Sequence, residues 1–130
     1  MKKIFLTLLI LATSLMAELK HEYLSQKLID SKIPIVDIRT PGEWRETGIV
    51  KNSIPIMFFN EQGAYDVNAF LTELNAKVDT KKPFALICRT GSRTAMIGDF
   101  LSKELHYKVT NVKDGIIFAK QRNIQLMLVR

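Results

Sequence analysis

The sequence is poor in residues that form cross-links and metal clusters. Among its 130 residues there is one cysteine, Cys88, so a disulfide within the chain and a cysteine-rich metal site are both excluded. The two histidines, His21 and His106, are too few for a dense histidine cluster, and we predict that both lie on the surface. Cys88 is therefore either a small buried hydrophobic residue or a reactive thiol.

Positive charge is present but is not concentrated. The chain has 19 Lys and Arg against 13 Asp and Glu, and the densest cationic spot is the pair Arg89 and Arg93. Such scattered charge does not predict a nucleic-acid-binding surface and fits small anionic ligands better. Charged residues make up 25% of the chain and no low-complexity tract occurs, so long disordered segments are not expected.

Only one long hydrophobic run occurs, at residues 4–15, and it follows Lys2 and Lys3. A basic start, a short apolar run and then Ala17 form the pattern of a secretory signal peptide, and the run is shorter than the roughly 20 residues of a membrane span. We predict a signal over residues 1–17, cleaved after Ala17, and one domain over residues 18–130. The predicted location is the periplasm, where an unpaired cysteine is unusual. If the signal is not cleaved, it is the only predicted membrane contact.

Apolar patterning predicts helices alternating with strands along the rest of the chain. Thr40 and Pro41 suit the cap and first turn of a short helix, and Pro55 favours an edge strand. The apolar tail over 124–129 is expected to pack on the domain, with a homodimer seam as the alternative. This alternation predicts an α/β fold with a mostly parallel sheet. The predicted strands cover 33–38, 54–59, 84–87 and 109–112, and the predicted helices cover 22–30, 40–44, 67–76, 94–105 and 116–121.

The segment with the most chemical content lies between a buried strand and a helix. Residues 84–87 are apolar and deliver Cys88 to the carboxyl end of the strand, where ligands bind in parallel sheets. Backbone amides of a tight loop and the start of a helix favour an anion, so a thiolate is stabilised there. Gly91 permits the tight turn. The side chains that add positive charge or hydroxyl groups are Arg89, Thr90, Ser92, Arg93 and Thr94.

Three ordered motifs resemble those of rhodanese-like sulfurtransferases. Residues 88–94 read Cys-Arg-Thr-Gly-Ser-Arg-Thr, similar to the active-site loop of that family. Residues 36–44 resemble its Asp-x-Arg-x-x-x-Glu-aromatic motif, and residues 109–116 resemble its C-terminal turn. The resemblance covers about residues 19–125 and implies a three-layer sandwich, with a mostly parallel central sheet flanked by helices. Residues 47–52 lack the family's usual His and Gly-Ala, which implies an unusual wall near the entrance.

The resemblance implies that Cys88 is a nucleophile that carries sulfur as a persulfide. The amides from Arg89 to Arg93 would hold that sulfur, and the two arginines would attract thiosulfate or polysulfide. Cyanide or a thiol would then accept the sulfur, and no metal or organic cofactor is implied. Around this loop, Asp37, Arg39 and Glu43 are candidates for an outer layer that ties the first strand to its loop, and ordinary structural ion pairs are the preferred interpretation of them. Trp44 is expected to be a packing anchor.

Other functions remain open at this stage. Cys88 could carry sulfur to a respiratory or sulfur-metabolism enzyme with little turnover of its own. A cysteine phosphatase or an arsenate reductase is a lesser alternative, because those loops have one residue more than the four between Cys88 and Arg93. Those phosphatases also usually have a His where this chain has Ile87. A redox sensor is a further alternative, although no second cysteine is present to resolve an oxidised thiol.

Overall fold

Seven strands and five helices make up the described part of the chain. The computed structural model describes residues 18–129, so the predicted signal over residues 1–17 lies outside the described residues. The strands are β1 (Lys20–Tyr23), β2 (Ile35–Asp37), β3 (Ile49–Val50), β4 (Ile54–Pro55), β5 (Phe84–Ile87), β6 (Val109–Lys113) and β7 (Leu126–Met127). The helices are α1 (Gln26–Asp30), α2 (Pro41–Thr47), α3 (Val67–Lys77), α4 (Ser92–Leu105) and α5 (Gly115–Gln121).

Five of the strands form a parallel sheet with helices on both faces. The strand order is β1-β6-β5-β2-β4, and every neighbouring pair is parallel. One core cluster joins the sheet to α3 and α4, and a second joins it to α1 and α5. The predicted α/β class, with a mostly parallel central sheet between helical layers, is therefore confirmed. No helix in the described residues is both long enough and apolar enough to span a membrane.

The central strand β5 is buried on both faces, which explains the apolar run that predicted it. All four residues are buried, and their side chains alternate between the two cores. Phe84 and Leu86 belong to the core under α3 and α4, whereas Ala85 and Ile87 belong to the other core. A strand covered on both faces must be apolar at every position, as this one is. This strand ends at the middle of the sheet, directly before Cys88.

The predicted helix over 22–30 is wrong in its first part. Residues Lys20–Tyr23 form β1, whose register with β6 runs from Lys20 opposite Thr110 to Tyr23 opposite Lys113. All four side chains are exposed, so this edge strand has no apolar alternation that would predict it. The helix begins only after Ser25, whose hydroxyl accepts a hydrogen bond from the Leu28 amide at 3.0 Å.

The predicted strand over 54–59 is shorter than expected. Only Ile54–Pro55 pair with β2, at the edge of the sheet, where the missing amide of proline does least harm. The following residues form a loop in which the ring of Phe58 contacts those of Phe59, Tyr65 and Phe70. Burial of Ile56 in the core and packing between aromatic rings therefore account for the apolar residues of this stretch, while the amides of Ile56 and Phe58 still donate to the carbonyls of Asp37 and Ile38.

The C-terminal tail packs on the domain over part of its length, as predicted. Leu126–Met127 form β7, which pairs antiparallel with Ile49–Val50 of β3. Beyond this pair the tail is open to solvent, and Leu128 is 88% exposed. The stretch that departs from the family pattern, residues 47–52, thus holds the tail in place.

Candidate active site

Cys88 lies at the carboxyl end of the central strand, in the loop before α4. Its side chain is buried, with 1% of the residue exposed, whereas the loop residues Arg89, Thr90 and Ser92 are exposed. The helix begins at Ser92, two residues earlier than predicted, so Cys88 is four residues from the start of α4. The cysteine is therefore at the bottom of a short loop with polar and cationic residues on its outer side.

Two groups of the loop contact the sulfur directly. The Gly91 amide donates a hydrogen bond to the Cys88 Sγ at 3.1 Å, and the Thr94 hydroxyl lies 3.4 Å from the same atom. Gly91 has φ 89°, a conformation that favours glycine, and a Cβ there would lie 3.0 Å from the Asp114 amide nitrogen. Hydrogen bonds of this kind stabilise a charged sulfur.

The three predicted hydroxyls of the loop do not act alike. Thr94 reaches the sulfur, but the hydroxyls of Thr90 and Ser92 bond to each other at 3.1 Å on the exposed side. Within residues 18–129, Gly91 supplies the one backbone amide that donates to Sγ. The part of the predicted binding loop that touches the sulfur is therefore limited to Gly91 and Thr94.

Arg93 forms an ion pair with Glu43. Its guanidinium binds both carboxylate oxygens of Glu43, with Nη1–Oε1 at 2.9 Å and Nη2–Oε2 at 2.8 Å. That Arg93 attracts anionic donors stays a prediction, and Glu43 already binds its guanidinium in a bidentate pair. Arg89 is exposed and belongs to no ion pair among residues 18–129, so it is the loop arginine that can attract an anion.

Glu43 is held in place by the start of its own helix. Thr40 caps α2 by accepting from the Glu43 amide, and the Glu43 carboxylate accepts from the Thr40 amide at 3.4 Å, which completes a capping box. The predicted cap at Thr40 and first turn at Pro41 are confirmed. The hydrogen bond from Arg93 lowers the pKa of the Glu43 carboxyl, with partial burial acting in the opposite direction. The same bond raises the pKa of Arg93.

We expect Glu43→Gln to cost about 1–3 kcal/mol of unfolding free energy at neutral pH, because it leaves a half-buried arginine without its charged partner. Because the pKa of Glu43 is lower in the folded protein than its ordinary value of 4.5, the ionised carboxylate stabilises the fold at pH values above 4.5. This contribution to the free energy of unfolding is lost as the pH falls through the lower pKa of the folded state. Denaturant unfolding of both proteins at several pH values should therefore show a gap that narrows on acidification. A gap of constant size would contradict this account.

Asp37 and Arg39 form a buried pair below α2. The Arg39 Nη2 lies 2.8 Å from Asp37 Oδ2, and both side chains are at most 1% exposed. The same guanidinium donates to the Thr47 hydroxyl at 2.8 Å and to the Gly48 carbonyl at 2.9 Å. Trp44 contributes through its indole nitrogen, which donates to Asp37 Oδ1 at 3.1 Å. This pair ties β2 to its own loop, whereas Glu43 ties that loop to α4.

Two functional contacts were not found from the sequence. Asn111 on β6 is 4% exposed, and its side-chain oxygen accepts a short hydrogen bond from the Thr94 hydroxyl. Its amide nitrogen lies 3.1 Å from Nδ1 of His21 on β1. His21 is exposed, as predicted, yet it contacts a residue that contacts the site. The signal that could have identified Asn111 is a polar side chain in an otherwise buried strand.

The turn into α5 holds the loop from the other side. The amides of Ile116 and Ile117 donate to the carbonyls of Cys88 and Arg89, at 3.0 and 3.1 Å. Gly115, with φ 51°, lets this backbone come close enough. The third sequence motif, residues 109–116, is therefore held near the site by backbone contact with the cysteine loop.

A small cavity lies beside the loop, between α2 and α5. It has a volume of about 70 Å³, and Arg89 and Lys120 are both among its lining residues. Glu43 and Glu46 line it as well, so the cavity carries both signs of charge. In the part of the chain that the structure describes, no group of three His, Cys, Asp or Glu side chains is placed to hold a metal ion.

The sequence of this chain is similar to a known domain family and to a bacterial protein. A family model described as the rhodanese-like domain matches residues 20–117, a span that includes Cys88 and its loop. The uncharacterized protein RP600 of Rickettsia prowazekii is 28% identical over 92 residues, which cover 68% of this chain and 72% of that protein.

Solved structures share the fold. A rhodanese-like domain protein of Staphylococcus aureus has a TM-score of 0.62 at 22% identity, covering 84% of this chain and 99% of that one. A protein of Rhodopseudomonas palustris, described as a possible tyrosine phosphatase, has a TM-score of 0.54 at 22% identity, covering 78% of this chain and 75% of that one. At these identities the two structures show likeness of fold alone.

Proposed function

Because this chain belongs to the rhodanese-like domain family, we propose that it is a sulfurtransferase that carries sulfane sulfur on Cys88. Membership of this family supports a sulfurtransferase type of function, and the family also includes inactive and phosphatase-like members. The observation that carries the proposal is the environment of the sulfur. The Gly91 amide and the Thr94 hydroxyl both reach Sγ, at the end of a strand that fixes its position.

The proposed reaction has two displacements at one sulfur atom. The Cys88 thiolate attacks the outer sulfur of thiosulfate, the sulfur–sulfur bond breaks, and sulfite leaves with the bonding electrons. A polysulfide donor would react in the same way and release a shorter polysulfide. Cyanide or a thiolate then attacks the outer sulfur of the Cys88 persulfide, and Cys88 leaves as the thiolate. The Gly91 amide donates to Sγ, so it favours the thiolate that begins the first step and stabilises the charge that develops on Sγ as Cys88 leaves in the second.

Arg89 is the residue that we propose guides the anionic donor to the loop. It is exposed, and it lines the small cavity together with Lys120. Arg93 is neutralised by Glu43 and instead holds the first turn of α4 against α2. A long-range attraction of this kind raises the rate of encounter with anions and weakens as salt is added.

An oxyanion enzyme, such as a phosphatase or an arsenate reductase, is less well supported. Such enzymes need an arginine that can grip a tetrahedral anion, and here both carboxylate oxygens of Glu43 already occupy Arg93. The loop is also short, with four residues between Cys88 and Arg93. Its size suits a single sulfur atom better than a phosphate.

A sulfur carrier is the second candidate, and the burial of Cys88 favours it. With 1% of the residue exposed, a bound sulfur would be shielded from acceptors in bulk solvent. A partner enzyme of respiration or sulfur metabolism would then take the sulfur by docking at the loop. We propose that either function is performed in the periplasm, on the basis of the signal pattern at residues 1–17.

The intact mass of the protein after brief incubation with thiosulfate or polysulfide tests the proposal. We expect a gain of one or more sulfur atoms that cyanide removes, and no gain in Cys88→Ser. Because Cys88 is the only cysteine, a gain that depends on it identifies the site without further mapping. Absence of any gain from either donor, with the thiol shown to be free, would contradict both candidates.

Formation of thiocyanate then separates the two candidates. Steady production from thiosulfate and cyanide over many turnovers supports the enzyme. Stoichiometric loading, followed by slow release to small acceptors, supports the carrier.

A further inference from the structure

A chain of hydrogen bonds runs from the site to the surface of the sheet. It begins at the Cys88 sulfur, passes through the Thr94 hydroxyl and the Asn111 side chain, and ends at His21. The first three side chains are buried and His21 is exposed. His21 and Asn111 face each other in the register of β1 and β6. The pairing of β1 with β6 thus holds the last two side chains of this series in place.

The Thr94 hydroxyl sets the direction of donation along this series of hydrogen bonds. A hydroxyl has one proton to donate, yet Thr94 Oγ1 lies near three groups, namely Sγ, the Gly91 carbonyl at 3.2 Å and the Asn111 oxygen. The Thr94 proton can go to the Gly91 carbonyl, to the Asn111 oxygen or to the sulfur. When Thr94 donates to the Asn111 oxygen, its own oxygen faces the sulfur with a lone pair, and a hydrogen bond between the two then needs the proton of a neutral thiol.

A charged sulfur can only accept, so a hydrogen bond between it and Thr94 has the opposite direction. Thr94 must then donate to Sγ and needs a donor on its other side, so the Asn111 amide must turn by half a rotation. Its nitrogen then donates to Thr94 and its oxygen faces His21, which must carry a proton at Nδ1. The proton that Cys88 loses goes to solvent, and the exposed His21 exchanges its own ring proton with solvent.

We propose that Asn111 is a positioning residue whose amide orientation, held by His21, decides whether Thr94 donates to the Cys88 sulfur. This inference rests on the proposed sulfur transfer, because it concerns the charge state of the same sulfur. An amide is suited to this task since its two ends have nearly the same shape but opposite hydrogen-bonding character. A carboxylate or an apolar side chain at position 111 lacks that choice.

The decisive variants at position 111 are Asn111→Asp and Asn111→Leu. An ionised aspartate can only accept, so it holds the Thr94 proton away from the sulfur, and we expect alkylation of Cys88 by iodoacetamide to slow by about tenfold, as expected for the loss of one hydrogen bond to a charged group. Leucine has a similar size and leaves Thr94 free to turn, so the loss should be clearly smaller than for aspartate. A merely structural asparagine predicts the reverse order, because leucine removes both of its hydrogen bonds.

A double-mutant cycle with Thr94→Val separates hydrogen-bond direction from the charge of the new carboxylate. In the Thr94→Val background, Asn111→Asp should slow alkylation by much less than it does in the parent protein. An equal effect in both backgrounds, or leucine slower than aspartate, would overturn the inference. Asn68→Asp, an exposed change on α3, is the matched control for added charge and should react like the parent.

Sulfur loading is measured on the same samples, so the two proposals fail separately. Loading that is normal in the parent and undiminished in Asn111→Asp, with alkylation also unchanged, rejects the inference and leaves the proposed function standing. Alkylation rates in the expected order, with no loading in the parent, reject the function and retain the orientation of Thr94. Circular dichroism melts verify that each variant is folded before its rate is compared.

Discussion

Arg39→Met should destabilise the protein by about 3–5 kcal/mol, because it leaves the buried Asp37 carboxylate without its cation. The pair is almost fully buried, and Arg39 also donates to Thr47 and Gly48. Methionine has a similar length and an apolar end, so the loss comes from the unpaired charge more than from a cavity. Denaturant unfolding of the parent and the variant measures the difference.

A second substitution and a surface control make this prediction specific. Asp37→Asn in the Arg39→Met background removes the buried charge. It keeps an oxygen that can accept from the backbone amide of residue 39 and from the Trp44 indole, so part of the lost stability should return. Lys77→Met breaks the exposed pair with Glu73 and should cost less than about 1 kcal/mol. A cost for Arg39→Met as small as that of Lys77→Met would show that the buried pair does not stabilise the fold.

Gly115→Ala should destabilise the protein by about 2–5 kcal/mol, from a strained backbone together with overpacking. Gly115 has φ 51°, and a Cβ there would collide with the carbonyl oxygens of Cys88 and Arg89. Relief requires the cysteine loop or the start of α5 to move, which breaks the hydrogen bonds from Ile116 and Ile117. Sulfur loading of the folded variant should slow by about a hundredfold, since small displacements of a reacting group have effects of that size.

Gly63→Ala is the matched control for this effect. Gly63 also has a left-handed conformation, with φ 77°, but a Cβ there would contact nothing within 4 Å. Its cost should be limited to backbone strain, about 1–2 kcal/mol, with no change in sulfur loading. If the two alanine variants behaved alike, close approach of α5 to the loop would not be what requires glycine at position 115.

Local features of the site were well predicted from the sequence. The apolar run over 84–87 is buried on both faces, and the loop from Cys88 to Thr94 leads directly into a helix. Thr40 and Pro41 begin α2 as their types suggest. These features depend on neighbours a few residues apart, so the pattern of residue types is sufficient to identify them.

Features that depend on distant partners were missed or misassigned. Glu43 and Arg93 were both identified, but they are 50 residues apart in the chain, and only the fold shows that they neutralise each other. Strand β1 has no apolar alternation because its stability comes from backbone pairing with β6. Asn111 was missed for the same reason, because its hydrogen-bond partners Thr94 and His21 lie on two other elements of the fold.

The pairing of β1 with β6 has a consequence for how the domain folds. Residues 20–23 find their partners only at residues 110–113. Likewise, β3 pairs only with β7, at residues 126–127. Contacts with such long sequence separation form slowly because a large loop must close first. The sheet of this domain should therefore be completed only once residues 109–127 are available, and a chain that ends before residue 109 should lack protection of β1 from hydrogen exchange.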